Sequence, residues 1–179
     1  MEGFAHWHEF YVLLGTAAAT LLALLFVAVS LGAGFLSARH AEPTRAFFSP
    51  VVIHFTAVFF VSVLVLVPNH QGEFFAGLIG ACALIGGGVS AFATVQILRN
   101  RWTNFLQDHF GYGICPVICY AALLVAAAMI EKRYEPALDV LAGALLALLI
   151  VNIRNAYDLT LSMVHRQTQI EPRGKKRKS

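Results

Sequence analysis

The sequence predicts an all-α, polytopic integral membrane protein with five transmembrane helices. Three observations carry that prediction. Of the 179 residues, 58% are hydrophobic and 13% charged, a balance foreign to soluble domains. Several apolar runs reach or approach the ~20 residues a helix needs to cross a bilayer. All but one of the 13 lysines and arginines lie in the connections and the C-terminal tail, the exception being Arg154 near the end of helix five, and helices one to four carry no acid in their interiors. Residues 1–165 read as one five-helix transmembrane domain, and residues 166–179 as a basic, disordered cytoplasmic tail.

Helix one is expected over residues 9–36. Its small stripe, Gly15, Ala19 and Ala23, invites a neighbour to approach closely, because packing rather than water-driven burial holds helices together in lipid. Glu2 and Glu9 stand where a cleavable signal peptide would carry basic residues, and the apolar stretch is too long for one. Helix two is expected over 50–67, with Ser49 as N-cap, Pro50 at the first helical position and Pro68 just beyond its end. The short loop that follows makes helices two and three antiparallel neighbours.

Helix three is expected over 74–98. Cys82, Gly86, Ser90 and Thr94 recur every four residues, and Ala83, Gly87 and Ala91 repeat the pattern one position on. Such a face belongs against protein, and close packing explains Gly86 to Gly88 better than a flexible point does. A polar connection from Arg99 to Phe110 leads to helix four, 113–130, whose Pro116 falls in the first turn, where proline costs little. Helix five, 137–158, follows the connection EKRYEP.

Lysine and arginine placement sets the expected orientation. With the N-terminus outside, Arg39, Arg45, Arg99, Arg101, Arg154 and the tail lie inside, leaving Lys132 and Arg133 outside. The expected location is a bacterial-type inner (plasma) membrane, with the C-terminus cytoplasmic. The tail, EPRGKKRKS, would be drawn to anionic lipid headgroups; a nucleic-acid role is not expected.

The strongest site candidate is helix five. Ala137, Val140, Ala144, Ala147, Val151, Asn155, Asp158 and Ser162 share one face by helical spacing, small at first and then polar, while Leu145, Leu149 and Ile153 point elsewhere. Arg154 and Asp158 are spaced to pair. With Thr94 and Gln96 of helix three, these residues (Asn155, Asp158, Arg154) would form a pore or polar vestibule at the inner end. The plainer reading is a positively charged inner flank on a helix that continues into the cytosol. Gly15, Ala19, Gly86, Gly87 and Ser90 are assigned to helix packing.

Other candidates are weaker. His6, His8, Glu9, His70 and Glu73 would share the outer surface and are of ligand type, but unoccupied interfacial histidines are commoner than metal sites, so no metal is assigned. His54 reads as a first-turn histidine hydrogen-bonded near the interface rather than a haem ligand, since only His109 is available as a second axial residue. Gly111, Tyr112 and Gly113 resemble the core of the potassium-filter sequence over three residues, yet Phe110 precedes them and the loop lies on the inner side. The match is treated as coincidence. Cys115 and Cys119, like Cys82, read as small apolar residues and not as a disulfide framework.

No phosphate loop, nucleophile motif or zinc-protease motif is present in the sequence, so no cofactor and no enzymatic activity are expected. Two functions fit. One is a small homo-oligomeric channel or permeation pathway for an ion or small solute, lined by the small and polar face of the last helix. The other is a non-catalytic accessory or regulatory protein that packs against another membrane complex.

Overall fold

The computed structural model describes residues 2–33, 41–68, 72–100 and 113–175, with side chains described over most of 7–28, 50–68, 73–96 and 113–161. Among the described residues the chain is all-α, in five helices: α1 (Glu2–Ala33), α2 (Ala41–Leu66), α3 (Gly72–Asn100), α4 (Cys115–Glu131) and α5 (Ala137–Lys175). Three segments, Trp7–Ala28, Glu73–Gln96 and Ala137–Asp158, are long and apolar enough to cross a membrane; Pro50–Leu66 and Cys115–Glu131 are shorter apolar helices. Length and composition thus mark a multi-pass helical membrane protein.

Two boundaries differ from expectation. The second helix begins at Ala41, so Pro50 is inside it rather than at its start. No glycine interrupts residues 41–50, and Pro43 occupies the first turn, where a missing N–H goes unnoticed. Pro50 therefore costs the helix one bond, to the carbonyl of Ala46, and does not end it. At the other end α5 runs to Lys175, whereas disorder was expected from residue 166. Between Asp158 and Glu171 neither glycine nor proline stops it.

The helices close on one another. α1 packs on α2 and α5, α2 also on α3 and α5, α3 on α4, and α4 on α5. α2 and α5 are therefore the inner pair of the bundle. On α5 the interior is taken by Leu141, Leu145, Leu148 and Asn152, all fully buried. This displaces the expected small face. Ala137, Ala144 and Asn155 are buried, but Ala147 is exposed, and Leu145 and Leu149 point inward rather than away. Large leucines fill an interior to native density better than alanines, which explains the rotation.

The turn between α4 and α5 is tightly specified. Arg133 N–H donates to Ile130 O at 3.0 Å and Tyr134 N–H to Met129 O at 3.0 Å, a Schellman arrangement around the C-cap Lys132. Arg133 takes the left-handed position, with φ 57°, that glycine usually fills.

Candidate functional site: a buried polar layer at one end of the bundle

The middle of α2, the later half of α3, the first turns of α4 and the middle of α5 meet toward one end of the bundle. Gly86 and Gly87 of α3 lie against Tyr120 of α4, and Gly113, just before α4, lies against Thr94 of α3. These pairs fix α3 and α4 as antiparallel. A Cβ at Gly86 would collide with the Tyr120 ring, and one at Gly87 would come within 3.3 Å of Tyr120 Cβ. Glycine at position 86 is thus the condition for seating the phenol there.

Once seated, the phenol reaches across to α2. Tyr120 Oη lies 2.9 Å from His54 Nδ1, and the two rings are tilted at 51° with centroids 5.4 Å apart. Both residues are only 1% exposed. From the other side, Asn152 of α5 donates through Nδ2 to the Val51 carbonyl of α2 at 2.9 Å, and Asn152 is 0% exposed. Asn155, one turn further on, is buried too. Ser90 is fully buried and donates to the Gly86 carbonyl at 2.8 Å; Thr94 donates to the Ser90 carbonyl at 2.7 Å. Polar side chains from α2, α4 and α5, backed by α3, thus form a layer inside an otherwise apolar bundle. Buried polar groups in such surroundings are expensive unless paired, so the pairs also lock the helices in register.

No family model matches the chain, and no curated protein or solved structure matches it.

The expected vestibule is only partly assembled. Asn155 and Thr94 face the bundle, but Gln96 is exposed. Arg154 and Asp158 do pair, Nε to Oδ2 at 4.0 Å, on the outer surface, with side chains 59% and 43% exposed. One residue along a helix is a turn of ~100°, so Arg154 cannot share the inward direction of Asn155. The packing residues fare differently. Gly15 meets Ser62 of α2, where a Cβ would come within 3.2 Å of Ser62 Cβ, and Ala19 is half-buried. Gly86, Gly87 and Ser90 lie on the α3 face toward α4.

His54 sits deeper in its helix than a first-turn residue, because α2 starts nine residues before Pro50. Its partner Tyr120 was missed, as was the role of Asn152. The usable signal was chemical: a tyrosine hydroxyl within an apolar segment needs a hydrogen-bond partner, and His54 was the one histidine within another. Of the outer ligand-type cluster, His8, Glu9 and Glu73 are exposed, while the side chain of His6 and the whole of His70 lie outside the described residues. Among the described residues no group of three metal-ligand side chains assembles. His109, Gly111 and Tyr112 also lie outside them. Cys82, Cys115 and Cys119 are free thiols.

Proposed function

We propose that this is a small, non-enzymatic membrane permeation protein in which an ion or small polar solute passes through the polar end of the bundle. The observation that carries this reading is the layer of His54, Tyr120, Asn152 and Asn155, buried among apolar helices. Polar side chains at membrane depth concentrate along solute pathways. The lining is therefore placed on α2, α4 and α5 together, not on one face of α5, and Arg154 with Asp158 flanks it from outside. The layer is closed by its own hydrogen bonds, so conduction requires the Tyr120–His54 contact to open.

The charge distribution supports an outside N-terminus in a bacterial-type inner membrane. The basic residues from Arg173 to Lys178 would then meet anionic headgroups, each contributing about 1 kcal/mol near the surface. Gly77 on α3 and Gly143 on α5 have open space around them, which supports close contact between copies in a homo-oligomer. A monodisperse monomer by native mass spectrometry in mild detergent would remove the oligomer.

Solute flux through the purified protein in liposomes tests the main reading. Flux is expected, and replacing His54 and Asn152 together by leucine should change its rate or selectivity. Flux unaffected by that pair would remove them from the pathway. An accessory role is the second reading, favoured by the outward Arg154–Asp158 pair and by hydrogen bonds that already close the layer. It predicts no flux and a co-purifying membrane partner.

A further inference from the structure

The Asn152 amide has only one possible orientation. The Val51 carbonyl can only accept, so Nδ2 must face it, and Oδ1 must face the other way. That oxygen is buried and accepts no hydrogen bond from any described residue. Ser62 Oγ shares this condition, but a serine hydroxyl can rotate toward the carbonyl four residues back on its own helix. Asn152 has no such freedom, because turning its amide would break the bond to Val51.

His54 stands three residues after Val51, so it neighbours on the α2 surface the carbonyl that Asn152 grips. The pairing with Tyr120 engages Nδ1. A buried acceptor without a donor and a buried histidine–tyrosine pair thus meet at the same turn of α2. Asn155 adds a third polar side chain one turn along α5. A buried polar niche with two or more such groups is the setting in which proteins hold ordered water.

From this geometry we infer that the polar layer contains a binding site for one ordered water molecule, which donates to Asn152 Oδ1 and joins it to the His54–Tyr120 pair. The water completes a hydrogen-bonded line from α4 through α2 to α5. The site goes beyond the permeation reading and does not depend on it, since a non-conducting bundle would need the same water to satisfy Asn152.

The test is nuclear magnetic resonance on the full chain in micelles, uniformly labelled with nitrogen-15. Rotating-frame cross-relaxation is read from solvent to the Asn152 side-chain amide and to the backbone amides of the α2 turn from Val51 to Phe55, its sign separating a bound water from chemical exchange. A bound-water cross-peak is expected in the native protein, retained in Ser62→Ala and lost from the α2 backbone amides in Asn152→Leu. Absence of the peak from the native protein would overturn the site, and that readout needs no variant to fold. Persistence of the same water contact at the Val51 turn in a folded Asn152→Leu protein would also overturn it. Flux is measured separately, so a failed water site and a failed permeation reading give different results.

Discussion

The phenol of Tyr120 lies over Gly86 on α3 and reaches His54 on α2, so a single side chain of α4 ties three helices together. Tyr120→Phe keeps the ring but leaves His54 buried without that partner, which should lower stability by about 1–2 kcal/mol. Gly86→Ala should do at least as much harm, about 1–3 kcal/mol, because the ring must move from its seat. Gly88→Ala is the matched control: nothing lies within 4 Å of a Cβ there, and alanine favours the helix by up to about 1 kcal/mol. Unfolding of all three variants in one detergent checks the order. Equal behaviour of the two glycine variants would remove the seating argument. The glycines themselves were legible as a packing face from their spacing. The identity of the residue seated there was not, because spacing on α3 says nothing about which side chain of another helix will arrive.

Two features belong to the helices. The C-terminal turn of α4 places Arg133 at φ 57°, a conformation that costs an L-residue of this kind about 1 kcal/mol and glycine almost nothing. Arg133→Gly should therefore raise stability by up to about 1 kcal/mol, offset in part by the greater freedom of glycine in the unfolded chain. A lower melting temperature would mean that the arginine side chain contributes more than the strain. On α5 the pair Arg154–Asp158 is solvent- or lipid-facing, and exposed i, i+4 pairs contribute little. Replacing both by alanine should change stability by less than about 0.5 kcal/mol. A large loss would show that the pair is buried in an assembly, which denaturation with and without crosslinking would reveal. The helical identity of both segments was readable from sequence, but the rotation of α5 about its axis was not. Its leucines and its small residues form two plausible inner faces, and periodicity alone does not choose between them.

At the level of the whole molecule, five crossings by the five described helices would put the chain ends on opposite sides of the membrane. Single cysteines introduced as Glu2→Cys and Ser179→Cys, in a background with Cys82, Cys115 and Cys119 replaced, should react with an impermeant thiol reagent from opposite faces of sealed vesicles. Labelling of both from one face would undo the orientation and the inner placement of the polar layer. Class, helix order and approximate spans follow from apolar run length and charge, because lipid demands long, internally hydrogen-bonded helices whatever surrounds them. The pairing of α2 with α5, the inward turn of Asn152 and the union of His54 with Tyr120 come from the packed bundle alone. Each depends on which faces of separate helices fill one another's gaps, a condition that no single segment contains.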